Sequence, residues 1–214
     1  MGKRMASGSQ LRVFLAGRVA VEANGHVIDE TRFPGRQGRL LFAYLVAEQG
    51  RPVPRDELAE ALWGRPRRRR GRRRSPWSRA RYARVLADSG LDATAALTGA
   101  HGCYRLALPE ATWVDVIAAA VAARRAEEAL SEGDLTEARM EATAAASLAE
   151  QPFLPGDDGS WVEARRRELG EVRVRALSVL ADACLRSGDP ADRGDLEPSR
   201  WSDWSRSGRR ATAA

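Results

Sequence analysis

GRQGRLLFAYLVAEQGRPVPRDELAEALWG, residues 35–64, decides how the chain is read. Leu40, Leu41, Ala43, Tyr44, Leu45 and Ala47 crowd one side of a helix expected over 39–49, and Gly50 ends it. Pro52-Val53-Pro54 can hold only a short extended piece, because proline brings no amide to a strand ladder. A second helix is expected over 56–63, with Leu58, Ala59, Leu62 and Trp63 facing inward and Gly64 closing it.

Upstream the period changes to that of strands. Residues 11–17 and 19–23 are short β-branched and aliphatic runs, the second closed by Asn24-Gly25, a dipeptide that tolerates positive φ in a hairpin turn. Residues 26–33 can return as a third strand. Downstream, Ser75-Pro76 is a good helix start, hydroxyl at the N-cap and proline at the first helical position, with the pattern running to Asp88 before Gly90. Trp77, Tyr82, Val85 and Leu86 give this helix apolar groups, but Ser78, Arg79 and Arg81 fall where aliphatics are expected. Residues 97–109, LTGAHGCYRLALP, then read as a two-stranded hairpin.

From Trp113 the chain is expected to turn helical. Val114, Ile117 and Val121 start one helix, which stops near Gly133. Asp134 with Glu137 forms a capping box for an alanine-rich helix reaching Glu150. Residues 152–159 read as a loop, in which Asp157-Asp158 is a turn rather than a calcium cage. Ser160 with Glu163 caps a long helix to Arg186, its inner face lined by Leu169, Val172, Ala176, Leu180, Ala183 and Cys184. The alternating Arg and Glu of 163–175 read as an exposed face of that helix. The ends, 1–10 and 191–214, lack periodicity and are expected to be disordered.

With 214 residues, 43% of them hydrophobic, the chain suits two modest modules. The net charge of +6 is local rather than general. Eight of the ten residues 65–74, RPRRRRGRRR, are arginine, and without them the remainder is slightly acidic. Such a run can neutralise phosphates, giving strong, salt-dependent and sequence-blind affinity, or can be a solvated, self-repelling coil broken by Pro66, Gly71 and Pro76. Cys103 and Cys184 are too few for a disulfide framework. His101 and Cys103 lack the further ligands zinc requires, so no metal or cofactor is expected. Paired carboxylates, a nucleophile with its base and a phosphate-binding glycine loop are all missing, which argues against an enzyme. No stretch approaches the ~18 consecutive apolar residues of a membrane helix, Arg18 interrupts the apolar start, and a cytoplasmic protein without membrane contact is expected.

Four segments in this order, 35–64, GCYRLALP (102–109), TWVDV (112–116) and PFLPGDDGSWVEARRRELGEVRVRALSVLADACLRSGD (152–189), resemble the actinobacterial antibiotic regulatory protein family. That family joins an OmpR-type winged helix to a bacterial transcriptional activation domain. The resemblance implies an α+β fold, with a winged helix over 11–110 and an all-α, tetratricopeptide-like domain over 111–190. About one and a half helix pairs are present there, against roughly three for a free-standing stack, so the repeat is truncated.

It also implies a cytoplasmic transcription activator, active in secondary metabolism, that binds direct repeats in double-stranded DNA, allows a homodimer there, and contacts RNA polymerase. By position, Arg79, Arg81 and Arg84 would read base edges from the recognition helix, where arginine pairs best with guanine O6 and N7. His101 or Arg105 on the wing would hold phosphates, and Arg67, Arg68, Arg69, Arg70, Arg72, Arg73 and Arg74 would add backbone contacts.

The chain departs from the family at 65–84 and after 190. Members carry a short proline-containing linker, then a helix of the flavour Leu-Ser-Val-Val-Ser-Arg-Leu-Arg. Read one nucleotide earlier, codons for 75–82 permit Leu-Ser-Val-Val-Ser-Arg-Ala-Leu, and shifted CGC repeats turn polyarginine into polyproline. An alternate-frame linker and recognition helix is therefore one expectation. The alternative function is a non-catalytic interaction or remnant protein that binds nucleic acid only non-specifically through its arginines.

Overall fold

The computed structural model describes residues 11–23, 25–64 and 96–188. The chain is mixed α+β, strands first and helices after, and it divides into two compact units. Both units are discontinuous. The first comprises Met1–Asp115 with Pro152–Arg166, the second Val116–Gln151 with Arg167–Ala214.

In the first unit β1 (Arg12–Phe14), β2 (Ala20–Ala23) and β3 (His26–Ile28) form an antiparallel meander. Val13 faces Val21 across the ladder, and both are buried. A 3-10 turn at Glu30–Arg32 follows, with the Asp29 carboxylate accepting the Thr31 amide at 2.9 Å. Helix α1 (Gly35–Ala47) starts earlier than periodicity suggests, and β4 (Val53–Pro54) leads directly into α2 (Arg55–Trp63). Leu58 is the buried residue of α2, whereas Trp63 is 44% exposed rather than turned inward. Trp63 is the last helical residue, just before Gly64 turns the chain out at φ 71.

Strands β5 (Leu97–Ala100) and β6 (Cys103–Leu106) make the expected hairpin, and β4 joins it in a sheet of order β4-β6-β5. One segment differs from its reading. Trp113–Val114 is a strand, β7, not the start of a helix, because it pairs parallel with β1 and buries Val114. The meander sheet thus has order β3-β2-β1-β7. On it Trp113 packs edge-to-face against Phe14 at 5.4 Å, and the Arg12 guanidinium lies 4.7 Å from the indole centroid.

Three helices follow: α3 (Asp115–Glu132), α4 (Leu135–Leu148) and α5 (Ser160–Ser187). Within the second unit Ala126 and Ala129 of α3 meet Ala138 and Ala142 of α4 and Val179, Leu180, Ala183 and Cys184 of α5 in one buried cluster. Alanine at these contacts lets helix backbones approach closely. Half of the capping box expected at α4 forms: Asp134 accepts the Glu137 amide at 2.9 Å, while the Asp134 amide donates to the Ala129 carbonyl rather than to Glu137. Every residue assigned to the inner face of α5, from Leu169 to Cys184, is buried. Ile117, expected among the residues that start the α3 face, is instead 39% exposed.

Candidate nucleic-acid interface

The β5–β6 hairpin closes through His101-Gly102, with φ of 51° and 78°. Two central residues of positive φ make a type I′ turn, whose twist matches that of the flanking strands. Asparagine or glycine normally takes the first position, so His101 is held there under mild strain, its side chain exposed. Arg105 sits opposite Thr98 on the second arm, and both are exposed. On the same arm Tyr104 faces Gly99, where an added Cβ would meet the tyrosine ring in ordinary contact at 3.5 Å.

The hairpin is tied to the helix pair through β4. Val53 pairs with Tyr104 and Pro54 with Cys103, and the Arg55 amide donates to the Gly102 carbonyl at 2.9 Å. The first residue of α2 is thereby brought to the hairpin turn. Exposed Arg55 joins His101 and Arg105 as a third basic group at this end. Sequence reading missed Arg55; the signal lay in Pro52-Val53-Pro54, whose extended piece could have been paired with the hairpin.

A polar network sets α2 on α1. The Tyr44 hydroxyl donates to Glu57 at 2.7 Å, Arg51 bridges Glu57 and Glu48, and Arg165 reaches Glu48 at 2.7 Å. The hydrogen bond from Arg51, then that from Tyr44, holds the Glu57 carboxyl below its ordinary value. Burial, with the bond to Glu57 next, pushes the Tyr44 phenol up to about 12. Arg51 is held more firmly protonated by the same two carboxylates.

Two buried aspartates close the first unit. Asp115, 3% exposed, accepts the Leu15 amide at 2.8 and 3.0 Å and the Ala16 amide at 2.9 Å. Asp157, 1% exposed, takes Arg36 at 2.8 Å and Arg39 at 3.2 Å, both from α1. Around it Leu154 donates to the Leu15 carbonyl and Gly17 to the Pro152 carbonyl, each at 3.0 Å. Arg166 then gathers the carbonyls of Phe153, Leu154 and Asp157 at 2.7–2.9 Å. Asp157 is thus an ion-pair hub as well as part of a loop, and Arg165 and Arg166 turn inward from the charged face expected over 163–175.

Of the predicted contact residues, His101 and Arg105 lie together on the hairpin. Arg67, Arg68, Arg69, Arg70, Arg72, Arg73, Arg74, Arg79, Arg81 and Arg84 lie outside the described residues, as do the helix expected over 75–88 and both expected disordered ends. Among the described residues no group of three His, Cys, Asp or Glu could hold a metal ion.

Residues 114–194 match the model of the bacterial transcriptional activator domain. The chain carries such a domain. The regulatory protein AfsR of Streptomyces coelicolor is 33% identical over 158 residues, covering 73% of this chain and 15% of AfsR. Among solved structures, Mycobacterium tuberculosis EmbR in complex with a low affinity phosphopeptide superposes with a TM-score of 0.69 at 25% identity. That likeness covers 85% of this chain and 47% of EmbR. The chain with this activator domain therefore spans a small part of the one relative and about half of the other.

Proposed function

We propose that the protein is a DNA-binding transcription activator of the antibiotic regulatory type, an OmpR-type winged helix followed by a tetratricopeptide-like activator domain. One observation carries the reading: a hairpin bearing His101 and Arg105 is paired through β4 to a helix pair, in a chain whose residues 114–194 match an activator domain. In such a module the hairpin is a wing that grips phosphates and fixes register, while a recognition helix reads bases in the major groove. Arg55 joins His101 and Arg105 in the phosphate grip. Arg79, Arg81 and Arg84 are the base-reading candidates, and the arginines of 65–74 add non-specific affinity. The winged-helix module is 11–110 together with β7, Asp115 and the clamp of 152–166, and the activator module takes the rest of 111–190. A cytoplasmic site of action, contact with RNA polymerase and two copies on direct repeats belong to this reading as what the resemblance to the antibiotic regulatory family implies. No described helix is long and apolar enough to cross a membrane.

The eight-arginine run favours a second reading, a remnant that binds DNA without reading it. A titration of the full chain separates the two. Duplexes enriched from a random pool are compared with scrambled duplexes at low and high salt. Activator function predicts a preference of about a thousand-fold or more that survives at physiological salt. Equal binding to all sequences, vanishing as salt rises, establishes the remnant instead.

A further inference from the structure

Over 170–185 the outward side of α5 is apolar. Val174 is 64%, Leu177 38% and Leu185 74% exposed, and half-buried Ala181 lies between the last two. Together with Gly170 these positions step by three or four residues and form one stripe about four turns long. The stripe is open at its start, where a Cβ added to Gly170 would meet nothing within 4 Å. Its middle carries the small side chains of Ser178 and Ala181. A neighbouring helix could approach closely there.

The charges along one border choose the neighbour. At 100° per residue, Glu171, Arg175, Asp182 and Arg186 flank the same side of the stripe, alternating in sign. The pairs 171/186 and 175/182 share one midpoint, between Ser178 and Val179. A two-fold axis there sets Glu171 against the second copy's Arg186 and Arg175 against its Asp182. Antiparallel helices related in this way bring like borders together, so both contacts form at once. A parallel pair, related by a two-fold along the helices, would bring unlike borders together and leave these four charges without one another across the contact. About the same axis Leu185 of one copy lies over the gap between Gly170 and Val174 of the other. At present Arg186 holds Asp182 at 2.8 Å and Arg175 holds Glu127 at 3.5 Å, but all four side chains are 39–52% exposed, so these pairs are weak and can be exchanged.

We propose that α5 is a homodimer interface, pairing antiparallel with α5 of a second copy across the stripe at Gly170, Val174, Leu177, Ala181 and Leu185. The contact requires no DNA. Sedimentation equilibrium of the full chain in DNA-free buffer, over a concentration series, tests it. The expected result is a reversible dimer that Leu185→Glu converts to a monomer with an unchanged far-UV spectrum, since Leu185 is exposed in the single chain. Glu171→Arg alone weakens the dimer about ten-fold, and adding Arg186→Glu restores it because the swapped pairs stay complementary. A monomer at all concentrations overturns the proposal and points to the stripe being covered within one chain. A dimer indifferent to Leu185→Glu, or unrescued by the charge swap, overturns it as well.

Discussion

The two units hold themselves together by different means. In the second, alanines from three helices and a few aliphatics of α5 form a cluster without a buried charge among its members. In the first, the apolar core is supplemented by two buried carboxylates that reach across about a hundred residues of sequence: Asp115 to the amides of Leu15 and Ala16, Asp157 to Arg36 and Arg39. A buried carboxylate is costly unless fully satisfied, and here each is. Polar clamps of this kind contribute modestly when intact and cost much when one partner is removed. The first unit should therefore fail at single atoms, and the second by changes in volume.

The largest effect is expected at Asp115. Asp115→Ala leaves the Leu15 and Ala16 amides without their acceptor and should cost about 3–4 kcal/mol, read as a lowered urea midpoint for the first unit. Asp157→Asn keeps the shape but removes the charge between Arg36 and Arg39. Arg36 is 49% exposed and partly rehydrates, which limits the loss to about 2–3 kcal/mol. Ala142→Leu probes the other unit, since Ala142 is 0% exposed between close helices. Overpacking there should cost about 1–3 kcal/mol and leave the exchange rates of the Leu15 and Leu154 amides unchanged.

Glu57→Gln is the smallest change and carries a pH signature. The folded carboxyl titrates below its ordinary value of 4.5, so its stabilisation is complete above that value and is lost as pH falls through the depressed one. Because Glu57 is 35% exposed, the difference between wild type and Glu57→Gln should be about 1 kcal/mol or less at neutral pH. It should shrink towards zero in acid; a difference that grows on acidification would remove the network from the account.

How much of this was legible in the sequence follows the same divide. Local signals were sufficient for the described helices, the hairpin with its alternating arm, the cap at Asp134 and the inner face of α5, because each is written within a few residues of itself. Trp113-Val114 was misread because two residues carry no strand period, and their partner strand lies far upstream. Asp157 read as a turn residue for a similar reason: its partners are 118 and 121 positions away, and no spacing rule reaches that far. Trp63 looked buried because the helical period continues to it, although the helix ends there and leaves it 44% exposed. Of the candidate interface the sequence located His101 and Arg105 but not Arg55, which enters only through the pairing of β4 with β6.

The central claim, that residues 152–158 belong structurally to the first unit and lock it through Asp157, is tested most directly by amide hydrogen exchange on the full chain carrying Asp157→Asn. The account predicts that the Leu154 and Gly17 amides, which bond to Leu15 and Pro152, exchange much faster together, with a smaller effect at the Ala138 and Ala149 amides of the second unit. Unchanged exchange at Leu154 and Gly17, or equal acceleration in both units, would contradict it.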